Sequence, residues 1–207
     1  MRDWEKSYRD GETPWDKGGA APPLLELIER HGIALWGKGP VLVPGCGFGH
    51  DVRALAEAGV SVIGLDIAET AVEKARLIPS ATAEVYEAGD FLSPEWWEGR
   101  HFSGIWEHTC FCAIDPALRE TYAQAAAALL GPGGVFAGVF YLTPHKPGED
   151  ETGPPFGVTT EEIDALFSPW FERIDGWVPE AAYPGREGRE WIGVFRKLPQ
   201  DRVAGSA

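Results

Sequence analysis

The chain has 207 residues, 44% of them hydrophobic, which is enough to build one sizeable core in a single domain. Its 18 Lys and Arg face 32 Asp and Glu, so the net charge is −14, and with no basic stripe this argues against a nucleic-acid partner. No apolar run nears the ~18 residues that span a bilayer, and Met1-Arg2-Asp3-Trp4-Glu5-Lys6 lacks the core of a signal peptide.

The 3 cysteines, Cys46, Cys110 and Cys112, form no zinc pattern, and an odd count argues against a disulfide framework. A cytoplasmic, reduced protein is expected, with no metal and no membrane. Nothing in the chain specifies an oligomeric state.

Residues 1–19 hold Trp4, Tyr8 and Trp15 among charges and glycines, in no clean helical or strand period. Aromatic rings in such a segment must cover something, because each buries a large area when packed. The segment reads as an arm closing over the core, or as a lid whose rings would contact a bound cationic ligand by cation–π attraction; both can hold. Pro22 and Pro23 then open a helix with Leu24, Leu27, Ile28 and His31 on one stripe, ended by Gly32.

A strand over 40–44 breaks into Gly45-Cys46-Gly47-Phe48-Gly49. The next helix turns Val52, Leu55 and Ala56 inward and stops at Gly59. A strand over 60–66 ends in Asp66, a helix covers 69–77 before Pro79, and a strand over 82–87 leads to Gly89-Asp90-Phe91. Ser93-Pro94 begins a short helix whose Trp96 and Trp97 read as packing. A strand over 102–106 runs into Glu107-His108-Thr109-Cys110-Phe111-Cys112-Ala113-Ile114. Asp115-Pro116 caps a helix with Leu118, Tyr122, Ala125 and Leu129 inward, and Gly131-Pro132-Gly133-Gly134 turns into a strand over 135–142.

Residues 143–157 read as an irregular loop, and Thr159 with Glu162 forms a capping box before Ile163, Leu166 and Phe167. Strands over 170–178 and 190–197 would pair as an antiparallel hairpin at the sheet edge, and the tail from Leu198 is expected to be disordered. The alternation of strand and helix predicts a doubly wound, mostly parallel α/β sheet.

In such a sheet ligands bind beyond the carboxyl ends of the strands, at the switch in strand order. A glycine turn after a buried strand brings backbone N–H groups close to a ligand, where a side chain would collide with it. Asp66 at the end of the next strand suits the two hydroxyls of a ribose, with Ile67 beside it. The glycines are spaced Gly45-x-Gly47-x-Gly49, which is not the dinucleotide spacing, and no P-loop pattern exists. Asp51 follows the glycines, and an acid there suits an ammonium better than a phosphate. S-adenosyl-L-methionine offers that ammonium, a ribose and an adenine, and a second acid at Asp90 strengthens the reading.

Trp4-Glu5-Lys6 with Thr13-Pro14-Trp15-Asp16, Val43-Pro44-Gly45-Cys46-Gly47, and Phe111-Cys112-Ala113-Ile114 with Arg119 resemble the thiopurine S-methyltransferase superfamily, most of all its thiol/halide branch. The resemblance covers roughly residues 4–197. It implies a class I methyltransferase with a Rossmann-like seven-stranded sheet that methylates small soft nucleophiles from S-adenosylmethionine, leaving S-adenosyl-L-homocysteine. It also implies cofactor contacts at Trp4, Trp15, Gly45, Asp66, Asp90 and Phe91, with Tyr8 where plant members have a second tryptophan. Gly47, Asp51, Ile67, Glu107 and His108 complete the expected cofactor set. Glu107-His108 departs from an Asp-Tyr pair of the plant members, and Arg119 matches an arginine near the acceptor.

Methyl transfer from a sulfonium to an anion destroys charge, so in-line positioning and a dry pocket can do most of the work, with no metal. A thiol reacts as its thiolate, and a nearby base would help. His108 is the candidate base, or only a hydrogen-bonding partner of the cofactor or backbone. Tyr141 points into the acceptor pocket or packs in the core, Arg119 attracts an anion or forms a surface ion pair, and His145 reads as exposed. Cys110 and Cys112 read as small buried residues. The rival readings are a bulkier thiopurine-like or metalloid acceptor, a module that binds the cofactor without transferring methyl, and, more distantly, a nicotinamide oxidoreductase.

Overall fold

The computed structural model describes residues 2–80, 82–145 and 153–199. The strands are β1 (Val41–Pro44), β2 (Val62–Asp66), β3 (Val85–Ala88), β4 (Phe102–His108), β5 (Leu130–Tyr141), β6 (Phe171–Trp177) and β7 (Glu190–Lys197). The helices are α1 (Trp4–Asp10), α2 (Pro22–His31), α3 (His50–Glu57), α4 (Glu69–Leu77), α5 (Pro94–Trp97), α6 (Arg119–Leu129) and α7 (Thr160–Phe167). One sheet of seven strands runs in the order β3-β2-β1-β4-β5-β7-β6. Neighbours from β3 through to β5 are parallel, and β7 is antiparallel to both β5 and β6. This is the doubly wound sheet that the alternation predicts.

The two faces of the sheet carry two cores, and strand alternation decides which side chain joins which. Val41, Val43, Trp106, Val135, Ala137 and Val139 meet α2, α3 and α4 through Leu24, Leu27, Val52, Leu55 and Val72. Leu42, Ile105, Phe136 and Phe140 meet α6 and α7 through Tyr122, Ala126, Ile163 and Phe167. Phe136 is at the centre of this second core, in contact with the rings of Tyr122, Phe140, Phe167, Phe171 and Phe195. Such pairs add about 0.5–1.5 kcal/mol each beyond the area they bury.

Three local differences from the expectations have physical causes. The arm contains α1, capped by Asp3, which accepts the Lys6 N–H at 2.8 Å, and closed by Gly11 at φ 75°. With 7 residues the helix is too short to show a period, yet Trp4 and Tyr8 lie one turn apart and pack with Phe48, Ala68 and Ala71. β4 runs on to His108, so alternation puts Trp106 and His108 on one face and Glu107 on the other. β5 begins at Leu130, because the glycine-rich stretch bulges within the ladder where the β4 register shifts between Phe102 and Gly104.

The last pair is antiparallel and at the sheet edge as expected, with β7 paired to β5 and β6 outermost. The near-continuous buried run of β7, from Glu190 to Phe195, is the signature of a strand covered on both faces. Among the described residues, no helix is long and apolar enough to cross a membrane. The expected tail falls largely on residues 200–207 and the expected loop partly on 146–152, both outside the described residues.

Candidate active site

β1 and β4 are adjacent in the sheet, and the chain leaves them in opposite directions, so their carboxyl ends flank the switch point. A cavity of about 70 Å³ opens there, walled by Gly45, Gly47, Asp51, His108, Thr109 and Tyr183, with Tyr8, Trp15 and Asp16 of the arm above it.

The glycine turn holds Gly45, Gly47 and Gly49 at φ 61°, 54° and 74°, the left-handed region that a side chain disfavours. A Cβ on Gly45 would meet Cys110, one on Gly47 would come within 2.9 Å of the Tyr8 hydroxyl, and one on Gly49 would run into the Tyr86 ring. The sequence suggests that a ligand excludes side chains here; the close neighbours are the chain's own residues. The turn is thereby clamped between β3, β4 and the arm.

Asp66 ties the end of β2 to this turn. Its Oδ2 accepts the Gly47 N–H at 2.8 Å and its Oδ1 the Ala68 N–H at 2.9 Å. Burial pushes its carboxyl up to about 6 in spite of those donors, and Glu5 adds to the rise. A carboxylate with one further lone pair on each oxygen suits the vicinal hydroxyls of a ribose. Ile67 beside it is 57% exposed, a free apolar surface next to that acid. Asp90 is exposed and caps the Leu92 N–H at 2.8 Å, whereas Phe91 is buried with its ring 4.6 Å from that of Tyr122.

The arm is latched onto α4. Glu5 accepts the Thr70 N–H at 3.1 Å and the Thr70 hydroxyl, and Lys74 donates to the Tyr8 carbonyl. Trp15 donates its indole N–H to the Tyr8 hydroxyl at 3.1 Å, and the Trp4 and Trp15 rings meet edge to face at 5.3 Å. The cation over the Trp15 ring is the chain's own Arg2, 4.4 Å from the centroid.

His108 and Asp51 meet at the cavity. Asp51 Oδ1 accepts the Ala21 N–H at 2.7 Å, and its Oδ2 accepts the Trp106 indole N–H at 2.8 Å and lies 3.3 Å from His108 Nδ1. His108 Nε2 is buried and finds no partner among the described residues. Glu107 points the other way. Its carboxylate accepts the Phe111 N–H at 2.7 Å and the Tyr122 hydroxyl within the second core, and burial pushes it up to about 7. Its side chain therefore lies on the face of the sheet opposite Asp51 and His108.

Arg119 and Tyr141 do not wall the cavity. Arg119 donates to the Gly157 carbonyl at 2.9 Å and lies over the Phe111 ring, with its Nε unpartnered among the described residues. Tyr141 lies under the guanidinium groups of Arg186 and Arg189. Cys112 is buried, and burial pushes its thiol up to about 12, as expected for an inert packing residue. His145 contacts the Pro155 carbonyl at 2.9 Å.

Several residues of the site are not marked as such by the sequence. Tyr183 comes from the connection between β6 and β7; its ring is 5.9 Å from His108 and its hydroxyl donates to the Gly19 carbonyl at 2.7 Å. Asp16 meets His50 Nε2 at 3.0 Å, and Thr109 is held at φ 66° beside the cavity. Residues 178–189 have no periodicity, so nothing local announces where Tyr183 lands.

The sheet order, the glycine turn at its switch point and the acid ending β2 define a class I S-adenosylmethionine-dependent methyltransferase. The family model for thiopurine S-methyltransferase matches residues 1–180, and the chain belongs to that family. Probable thiol methyltransferase 2 of Arabidopsis thaliana is 36% identical over 199 residues, covering 94% of this chain and 84% of that protein. Thiocyanate methyltransferase 1 of Brassica oleracea is 34% identical, covering 94% and 84%. A 2-heptyl-1-hydroxyquinolin-4(1H)-one methyltransferase of Mycobacteroides abscessus is 30% identical, covering 93% and 86%. Among solved structures, Burkholderia thailandensis 1,6-didemethyltoxoflavin-N1-methyltransferase, with S-adenosylhomocysteine bound, shares the fold at a TM-score of 0.69 and 22% identity, covering 94% of this chain and 85% of that one.

Proposed function

We propose that this chain transfers the methyl group of S-adenosylmethionine to a small soft nucleophile, a thiol or bisulfide first and a halide second, in the cytoplasm. The observation that carries the acceptor assignment is the placement of His108, a half-buried imidazole with a buried Nε2, on the same small cavity as the glycine turn. The relatives named for thiol and thiocyanate methylation support the same class. The three free cysteines suit a reducing compartment.

The residues fit the cofactor: an acid with free lone pairs for the ribose, no cation in the glycine turn to call for phosphate, and an unpartnered ring nitrogen beside it. When bound, S-adenosylmethionine supplies an electrophilic methyl group on a sulfonium. Asp66 holds the ribose with Ile67 alongside, Gly45 and Gly47 bring backbone close, and Asp90 and Phe91 border the far end. Trp4, Tyr8 and Trp15 act as a lid that excludes water, which strengthens the nucleophile. His108 touches the acceptor. Arg119 and Tyr141 support the acceptor side from behind, Arg119 by fixing residues 156–157 and Tyr141 by seating Arg186.

The test is a sealed vial holding protein, S-adenosylmethionine, bisulfide and iodide, with the headspace analysed for methanethiol and methyl iodide. Methanethiol is the expected main product. Absence of both, with S-adenosylhomocysteine still bound, would remove this acceptor class in favour of a bulkier acceptor or a non-catalytic module.

A further inference from the structure

We infer that Asp51 and His108 act as a pair, in which Asp51 is a positioning residue and His108 Nε2 takes the proton of a thiol acceptor. The inference rests on the methyltransferase reading above and narrows it to acceptors that arrive carrying a proton.

Asp51 cannot turn away from His108. The Ala21 and Trp106 N–H groups hold its two oxygens from different elements, and its Oδ2 is left 3.3 Å from His108 Nδ1. Catalytic hydrogen bonds are often this long in ligand-free structures. Burial acts to raise the Asp51 carboxyl, but His108, the Trp106 indole and the Ala21 N–H outweigh it and hold it below its ordinary value. An ionised carboxylate facing Nδ1 requires a proton on Nδ1, and a neutral imidazole protonated there carries its lone pair on Nε2. That Nε2 is buried without a partner among the described residues, a costly state unless a donor arrives with the ligand. The Tyr183 ring limits rotation of the imidazole, and its hydroxyl is already used by Gly19.

In the step, the S–H proton passes to Nε2 while a sulfur lone pair forms the bond to the methyl carbon. The bond from methyl to the sulfonium breaks, and its electron pair remains on the departing sulfur, giving the methyl thioether and S-adenosylhomocysteine. The imidazolium beside Asp51 then releases the proton to solvent. The other charged or titratable groups around His108 are Tyr183 from the β6–β7 connection, Arg186 over the Tyr183 ring, Lys17, Tyr8 and Asp16 of the arm, His50 bound to Asp16, Cys46 of the glycine turn, and Glu107 buried across the sheet.

The experiment compares an alkanethiol, mostly protonated at neutral pH, with an acidic aromatic thiol that is already ionised. His108→Gln is expected to slow the alkanethiol about 100-fold and the aromatic thiol only a few-fold, and to make the alkanethiol rate follow the free thiolate as pH rises. In parallel, NMR of 15N-histidine-labelled protein without cofactor is expected to show His108 protonated at Nδ1 only, and Asp51→Asn to lose that preference. Equal losses on both thiols, or a proton on Nε2 in the wild type at neutral pH, would overturn the pair. Wild-type protein that methylates neither thiol, with S-adenosylhomocysteine still bound, would sink the small-thiol acceptor reading and the base with it, whatever the tautomer. If Asp51→Asn fails to fold, the His108→Gln comparison and the wild-type spectrum still decide.

Discussion

Glu107 and Gly138 face each other across the β4–β5 ladder, and the absence of a side chain at Gly138 makes the space that Glu107 fills. A Cβ on Gly138 would lie 2.7 Å from Glu107 Cβ. The carboxylate above it is fully buried and accepts from Phe111 and Tyr122, with its pKa raised from the ordinary 4.5 to about 7 by burial. A raised acid favours the folded state only while protonated, so stability falls as pH rises from about 4.5 through about 7. A shift of this size corresponds to about 3 kcal/mol. Glu107→Gln can accept from Phe111 and donate to Tyr122 without the charge. Denaturant melts should show it more stable than wild type by up to about 3 kcal/mol at pH 8, with the gap closing toward pH 4. Its affinity for S-adenosylhomocysteine should change little, because the side chain lies away from the cavity.

The arm should behave as a latched lid. Thr70→Val removes the hydroxyl that donates to Glu5 while keeping the shape. A hydrogen bond to a charged group contributes about 1.5 kcal/mol, so cofactor affinity should fall roughly ten-fold. Cleavage by a protease between residues 11 and 20 should quicken in step. Weaker affinity with no change in cleavage would place the effect in α4 rather than in the arm.

The aromatic core on the α6–α7 face should dominate stability. Phe136 is fully buried among five rings, and Phe136→Ala should cost about 3–5 kcal/mol, read as a lower denaturant midpoint. A loss under about 1 kcal/mol would mean that the surrounding rings close the void.

Arg119 separates its two readings by kinetics. It is bound to the carbonyl of Gly157 and stacked on Phe111, so Arg119→Met should lower stability by about 2 kcal/mol and raise KM for the acceptor only a few-fold. A large rise in KM for anionic acceptors at unchanged stability would make it a direct anion contact instead.

Much of this architecture was legible because short-range rules agree with the fold. Gly45, Gly47 and Gly49 occupy left-handed backbone, Asp66 ends its strand at the turn, and Thr159 with Glu162 makes its capping box. What was not legible depends on contacts distant in sequence. α1 is stabilised by packing on α4, which a window of 7 residues cannot show. Alternation from Trp106 turns Glu107 into the core, but the apolar run that marks the strand stops at Trp106, two residues before β4 ends at His108. Tyr183 reaches His108 from an aperiodic connection, and Asp51 meets Trp106 across 55 positions of sequence.

The most direct test of the account is equilibrium binding of S-adenosylhomocysteine, followed by calorimetry and by quenching of the tryptophans, for wild type and Asp66→Ala with NADH as control. The account predicts saturable binding to wild type, at least about ten-fold weaker binding to the variant for each 1.4 kcal/mol of lost ribose contact, and no response to NADH. Equal affinity in the two proteins would contradict the placement of the ribose on Asp66, and with it the site at the ends of β1 and β4.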